Sequence, residues 1–143
     1  MSSSFDELLQ DLVNKNDEEK LDIALDSYKD LLPVLREVDP KTEGIFMTMV
    51  IMGATAGADG KLTVGEDRFI RALMEARGVE MTDEKVLSIL DMGTEEDAYD
   101  IIRELRSRLN NAGAGALVSF IAAICAMDDT ISREEVALIK SLL

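Results

Sequence analysis

One nine-residue pattern occurs twice in the chain and constrains its fold more than any other feature. Residues 58–66 and residues 127–135 follow the same plan, 69 positions apart. In each copy an apolar run ends, an Asp begins a turn, an aliphatic residue follows, and a hydroxyl residue is followed by Glu three positions later. This order predicts a helix, a tight acidic turn and a second helix in both copies.

Each copy carries the signature of a capping box. Thr63 is followed by Glu66, and Ser132 is followed by Glu135. In a capping box the hydroxyl oxygen accepts a hydrogen bond from a backbone N–H in the first helical turn, while the Glu side chain accepts one from the backbone N–H of the capping residue. The second helix of each unit is therefore predicted to begin immediately after the hydroxyl residue.

The helices before the two turns are predicted to be buried and close together. Residues 42–57 and 113–127 are nearly continuous apolar runs, too short to span a bilayer, which takes about 20 apolar residues. Small residues four positions apart let helices approach closely, and the two runs carry them at equivalent places: Gly53 and Gly57, then Ala122 and Ala126. We therefore expect the two helices to cross near Ala54 and Ala123, with the two halves related by a rough two-fold axis.

Composition supports a single all-α domain. The chain has 143 residues, of which 47% are hydrophobic and 31% charged, with only 2 prolines and 4% aromatic residues. These values are typical of one folded domain, and the helical spacing of Leu, Ile, Met and Ala favours seven to eight helices built on the internal repeat. The only cysteine, Cys125, lies in an apolar run and is expected to be buried.

The net charge of −14 and the absence of histidine narrow the functional classes. A strongly acidic protein is a poor partner for phosphate backbones and anionic membranes, whereas metal cations and basic protein surfaces complement it. Without histidine, the commonest general base and the usual zinc ligand are missing. No nucleophile has a histidine partner and no phosphate-binding loop is present, so we expect the protein not to be an enzyme.

Residues 1–40 are predicted to be an acidic helical arm that packs on the domain of residues 41–143. The arm holds 11 Asp and Glu residues against 4 Lys and Arg residues. Ser4 and Glu7 predict a capping box for a first helix, and the Asp-Glu-Glu run after Asn16 predicts a second helix. Pro33 is expected to kink or break that second helix. Its apolar stripe is predicted to comprise Leu21, Leu25, Tyr28, Leu32 and Leu35.

Local signals place most of the other helix boundaries. The Asp39-Pro40 pair predicts a break before the first apolar helix. Gly78 is predicted to end the helix that begins at Val64. Thr82 and Thr94 are predicted to cap the two helices that follow, the second over residues 95–109, and residues 110–113 are predicted to form a turn.

Two interpretations of the acidic turns remain open from the residues alone. Asp59, Glu66, Asp128 and Glu135 can be turn and capping residues only. Alternatively, a two-fold arrangement brings the four carboxylates together as hard oxygen ligands for Ca²⁺ or Mg²⁺. The macrodipole disfavours an Asp at a helix C-terminus, and this cost occurs in both copies. An EF-hand is not expected, because its first ligand positions fall on Thr55 and Ile124, inside apolar helices.

These motifs resemble the TerB-like family, the tellurite-resistance protein B-like helical domains. The resemblance rests on the Ala-Asp-Gly at 58–60, Leu62, Glu66 and the second copy at 128–135, and it covers residues from about 42 to 143. It implies an all-α fold of two similar halves, clustered acidic residues proposed to bind metal, and a link to bacterial tellurite resistance and stress responses. The chain departs from the pattern at Asp129, where Gly is usual.

The sequence therefore leads to two functional hypotheses. In the first, the chain is a cytoplasmic, non-enzymatic TerB-like stress-response module that holds a divalent cation at the paired acidic turns. In the second, it is a metal-independent adaptor whose acidic arm and methionine-bearing surface engage another protein with a basic or apolar surface. The polar segment at residues 1–4 is unlike a signal peptide, which favours the cytoplasm.

Overall fold

The computed structural model confirms the all-α class. It describes residues 2–58, 62–94, 98–127 and 133–142, with the side chains of residues 2–6, 8 and 94 excepted. These ranges contain eight helices and no strand. The helices are α1 (Ser2–Val13), α2 (Asp17–Val38), α3 (Ile45–Ala56), α4 (Val64–Ala76), α5 (Asp83–Thr94), α6 (Ala98–Arg108), α7 (Asn111–Cys125) and α8 (Arg133–Ser141).

Helix α2 is long and passes through its proline. Asn16 caps it, since its side-chain oxygen accepts a hydrogen bond of 2.8 Å from the backbone N–H of Glu19. Of the kink or break expected at Pro33, the break is wrong, because α2 continues to Val38. Proline removes one backbone hydrogen bond, but Leu31 and Leu35 on either side are completely buried. Their packing holds the helix together while Pro33 itself faces solvent.

The buried face of α2 differs by about one residue from the predicted stripe. Tyr28 and Leu35 are buried as expected, but Leu21 is 36% exposed. The buried positions are Lys20, Ala24, Ser27, Tyr28, Leu31 and Leu35. Ala24 and Ser27 are small, so they let α2 lie close against α7, which is its most extensive neighbour. The buried face of α2 is therefore the face that packs on α7, and not the predicted leucine-rich stripe.

A tight turn separates α2 from α3. The predicted break at Asp39-Pro40 agrees with the end of α2, but α3 begins at Ile45 and not at about residue 42. Glu43 and Gly44 both have positive φ, of 55° and 85°. A side chain at Gly44 would also meet Leu35 at 3.0 Å, so this position needs glycine for both conformation and space.

Helices α3 and α5 approach each other closely at two glycines. A Cβ atom built on Gly53 would lie 2.0 Å from the carbonyl oxygen of Ile89, and one built on Gly93 would lie 1.9 Å from the carbonyl carbon of Gly53. Gly53 therefore allows the close approach of α5, a partner that the sequence analysis did not predict. Helices α3 and α7 do pack together, and Ala54 and Ala123 are fully buried.

The remaining boundaries are partly as predicted. Gly78 ends α4 with φ of 83°, and Lys85 donates its backbone N–H to the Thr82 hydroxyl at 3.2 Å, so both signals are confirmed.

Helix α1 already includes Ser4, so the predicted cap there is wrong. Thr94 is the last residue of α5, and the predicted helix start at residue 95 lies outside the described residues. Asn110 caps α7, which begins where a turn was predicted.

A buried polar cluster joins α2, α3 and the end of α4. The Tyr28 hydroxyl lies 2.8 Å from the Thr48 hydroxyl oxygen, and Arg77 donates to it from Nη1 at 2.6 Å. Arg77 also donates from Nη2 to the backbone carbonyl of Glu43 at 2.7 Å. The Tyr28 ring packs on Phe120 of α7 with ring centroids 5.3 Å apart. This cluster fixes α2 relative to both apolar helices.

In the described part of the chain, no helix combines the length and apolar character that crossing a membrane requires.

Cys125 is fully buried at the end of α7, as the sequence predicts. We expect it to react with an aromatic disulfide reagent in the native protein at least about a hundredfold more slowly than in denaturant, because a thiol that is excluded from water forms little thiolate. Stopped-flow absorbance of the released thiolate measures both rates. Labelling at similar rates in the two conditions would contradict this expectation.

Candidate functional site

The first acidic turn ends in the predicted capping box. Glu66 accepts hydrogen bonds at Oε1 from the Thr63 backbone N–H at 3.2 Å and from the Thr63 hydroxyl at 3.0 Å. The backbone N–H of Glu66 donates to the Thr63 hydroxyl oxygen at 3.2 Å. Glu66 is only 2% exposed, so its carboxylate lies inside the protein and not on the outer surface of the helix. The cap explains the residue type but does not require burial.

The second acidic turn has a matching buried glutamate. Glu135 stands at the third position of α8 and is 3% exposed. Its predicted capping partner, Ser132, lies outside the described residues. Glu66 and Glu135 are the only acidic residues in the described ranges that are buried. The two members of the sequence repeat therefore share a rare property as well as a position.

The chain segments that flank the two turns lie against each other. A Cβ atom at Gly65 would lie 2.5 Å from the carbonyl oxygen of Met127, so the first turn of α4 rests on the end of α7. Ala58, at the end of α3, and Glu134, in the first turn of α8, line one cleft. Ala58 and Met127 are 69 positions apart, and so are Gly65 and Glu134. Equivalent positions of the sequence repeat therefore line this cleft and make the contact of Gly65 with Met127.

Two surface clefts beside these contacts have equivalent linings. Their volumes are about 230 Å³ and about 280 Å³. Helix α2 contributes Asp17 and Leu21 to the first cleft, and α6 contributes Tyr99 and Arg103 to the second. In each helix the two lining residues are four positions apart. The other five lining residues of the first cleft are Gly65, Arg68, Phe69, Ala72 and Met127, which correspond at the 69-residue shift to Glu134, Ala137, Leu138, Ser141 and Ala58 of the second.

Asp67, the neighbour of Glu66, forms an ion pair with Arg71 and takes no part in the candidate site. Arg71 donates from Nε to Asp67 at 3.1 Å and from Nη2 to Asp83 of α5 at 2.7 Å. The hydrogen bond to Asp83, followed by the one to Asp67, raises the pKa of Arg71 above its ordinary value. The ion pair of Arg71 with Asp83 links α4 to α5 on the surface, where ion pairs contribute little stability. Asp67 is thus a surface residue and not a member of the candidate site.

The structure places two of the four predicted site residues. Glu66 and Glu135 are buried at the starts of α4 and α8, whereas Asp59 and Asp128 lie outside the described residues. Among the residues that are described, no three Cys, Asp or Glu side chains are grouped closely enough to hold a metal ion. A four-carboxylate site thus depends on Asp59 and Asp128, which directly follow Ala58 and Met127 in the chain.

The sequence analysis did not predict the burial of one charged residue of α2. Lys20 is 3% exposed, although it stands in the acidic segment of residues 1–40. Its spacing from Ala24 and Leu31 places it on the α2 face that packs on α7. That spacing was visible in the sequence, but the leucine stripe suggested a different face.

Comparisons of the chain with protein-family models, with curated proteins and with solved structures found no match. The resemblance to the TerB-like family therefore rests on the repeated acidic motifs themselves.

Proposed function

We propose that this chain is a non-enzymatic, TerB-like stress-response module that binds a divalent cation where its two acidic turns meet. The observation that carries the proposal is the contact of Gly65 with Met127, together with the cleft that Ala58 and Glu134 line at the equivalent positions of the other half. Asp128 and Asp59 directly follow Met127 and Ala58 in the chain, and Glu66 and Glu135 directly follow Gly65 and Glu134. We therefore expect the four carboxylates to lie close together.

Burial of the two glutamates adds an electrostatic argument. A carboxylate inside a protein is costly unless a positive charge or several hydrogen bonds compensate it. Four carboxylates from converging segments repel one another, and a divalent cation relieves that repulsion. Carboxylate oxygens are hard ligands that suit Ca²⁺ and Mg²⁺. A cation held by these hard ligands is compatible with the burial of Glu66 and Glu135 at the starts of α4 and α8.

Thermal unfolding of the chelator-stripped protein tests the proposal. At a free Ca²⁺ or Mg²⁺ concentration a hundred times Kd, binding to the native state alone stabilises it by about 2.7 kcal/mol. We expect Tm to rise by several degrees beyond the rise in NaCl of matched ionic strength. The combined substitution Asp59→Asn with Asp128→Asn should remove this cation-specific rise.

A matched control separates the site from net charge. Asp22→Asn with Asp26→Asn removes the same two charges from the exposed side of α2. This variant should keep the full cation-specific rise. If the wild type, the control and the turn variant respond to cations identically, the acidic turns are capping structures and the cation site does not exist.

The adaptor hypothesis is the second candidate, and one observation favours it. The outer side of α2 exposes Glu18, Glu19, Asp22, Asp26 and Asp30, which form an acidic ridge suited to a basic partner. The expected methionine-bearing surface is not present in the described residues, where Met47, Met52, Met74 and Met81 are buried and the other methionines are half-buried. A cation response that is absent from every variant would favour this function over the first.

A further inference from the structure

Helices α2 and α4 both pack on α7 and leave a groove between them. Tyr28 of α2 and Phe69 of α4 each pack on the ring of Phe120 in α7, with ring centroids 5.3 Å and 6.0 Å from it. Arg77, at the end of α4, donates a hydrogen bond of 2.6 Å to the Tyr28 hydroxyl. The cleft of about 230 Å³ that Leu21 and Phe69 line is this groove, and we call it the α2–α4 groove. Core packing fixes its two walls, so it is formed in the absence of a partner.

The lining of the α2–α4 groove is mainly apolar. Leu21 and Ala72 form its rim and are exposed, whereas Phe69 is buried below them. Leu25 and Leu32 follow Leu21 along the same side of α2 and are half-buried. These three leucines belong to the stripe that the sequence predicts to be buried, and none of them is fully covered. A cavity of about 150 Å³ holds a benzene ring, so the groove has room for a large aliphatic or aromatic side chain.

The acidic ridge of α2 borders these leucines on their solvent side. Asp22 directly follows Leu21, Asp26 directly follows Leu25, and both acids are exposed. Within the described ranges, four members of the ridge form no ion pair, namely Glu18, Asp22, Asp26 and Asp30. The negative charge beside the groove is therefore not neutralised by the chain itself.

The equivalent cleft beside α6 lacks this feature. The exposed arginines of α6 pair with acids of the same helix, Arg103 with Asp100 at 3.4 Å and Arg108 with Glu104 at 3.0 Å. The internal repeat thus accounts for the two clefts but not for the acidic border of one of them. That border is a property of the α2–α4 groove alone.

We propose that the α2–α4 groove is the docking site for a basic amphipathic helix of another protein. Apolar side chains of that helix, three and four positions apart, enter the groove, and its lysines and arginines face the acidic ridge. Arg68, which is exposed on the α4 wall, turns the basic side of the bound helix toward α2. A second copy of this chain fits the groove poorly, because its net charge of −14 opposes association. The inference rests on the adaptor function, which it narrows to one surface, and it is independent of the cation site.

A synthetic amphipathic peptide, with leucine on one helical face and lysine on the other, is the probe for this surface. Fluorescence anisotropy of the labelled peptide measures its Kd for the full chain. We expect reversible binding with a Kd that rises with NaCl, since the charges that face each other are exposed. A peptide with the same leucines but with glutamate in place of lysine should not bind.

Two pairs of matched variants locate the bound peptide. Leu21→Gln should raise the Kd of the lysine peptide at least about tenfold, as expected for loss of a central apolar contact. Leu87→Gln should leave it unchanged, because Leu87 is an exposed leucine of α5 that does not line the groove. Asp22→Asn with Asp26→Asn should raise the Kd and weaken its dependence on NaCl. Glu80→Gln with Glu84→Gln, which removes two exposed charges at the start of α5, should do neither.

The outcomes separate the groove from the adaptor function. Weaker binding in the Asp22 and Asp26 variant, with no effect of Leu21→Gln, shows attraction to the ridge alone; it overturns the docking groove and keeps an adaptor function. Failure of the lysine peptide to bind the wild type overturns the inference and leaves the cation site to the Tm response. A dimer in analytical ultracentrifugation that Leu21→Gln dissociates also overturns it, because a second copy then covers the groove.

Discussion

Gly93→Ala is expected to lower the free energy of unfolding by about 3 kcal/mol or more, the upper end of the usual range for overpacking. The added methyl group would lie 1.9 Å from the carbonyl carbon of Gly53 and 2.1 Å from the backbone nitrogen of Ala54. Backbone atoms in a helix cannot move aside as a flexible side chain can. Helices α3 and α5 must separate, and their packing is the most extensive that α3 makes.

Gly115→Ala supplies the matched control. Gly115 also lies inside a helix, α7, but a Cβ atom there would have no neighbour within 4 Å. Alanine is favoured over glycine in a helix interior, so this substitution should stabilise the protein by about 0.5–1 kcal/mol. Urea unfolding followed by circular dichroism measures both variants. Similar stabilities for Gly93→Ala and Gly115→Ala would show that the close approach of α3 and α5 is not present in solution.

Deletion of residues 1–40 should abolish cooperative folding. Helix α2 contributes Tyr28, Leu31 and Leu35 to the hydrophobic core, and truncation of one such residue typically costs about 2–5 kcal/mol. Domains of this size are stable by only about 5–15 kcal/mol. Removal of the whole helix also uncovers the side of α7 against which it packs. We expect no sharp thermal transition and little dispersion of amide resonances.

A shorter deletion separates α1 from α2. Removal of residues 1–15 takes away α1, whose Leu9 is buried in the core, but keeps Asn16 as the cap of α2. This variant should keep a cooperative transition with a modest decrease in Tm. A sharp transition in residues 41–143 alone would instead show that residues 1–40 are a separable arm.

The features that the sequence predicts well are local ones. The capping box of Thr63 and Glu66 and the end of α4 at Gly78 depend on hydrogen bonds and dihedral angles within one turn. Neighbouring residues determine these, so their identity is sufficient. The same holds for the start of α2 directly after Asn16, which the acidic run that follows Asn16 predicts.

The features that depend on distant partners are predicted less well. Gly53 correctly signals a close helix approach, but its sequence neighbours do not say whether the partner is α5 or α7. Pro33 signals a break that burial of the adjacent leucines prevents. Lys20 is polar, and only the approach of α7 places it inside. At the candidate site, burial of Glu66 likewise follows from the contact of Gly65 with the other half and not from any local pattern.

The partnership of α2 with α7 has a consequence for the newly made chain. Tyr28 and Phe120 meet across about ninety residues of sequence, and contacts of such separation form slowly because a long loop must close first. During synthesis α2 leaves the ribosome well before α7 exists. Until then its leucines are not covered by α7. We expect the acidic ridge on its other side to oppose self-association of the newly made segment through charge repulsion.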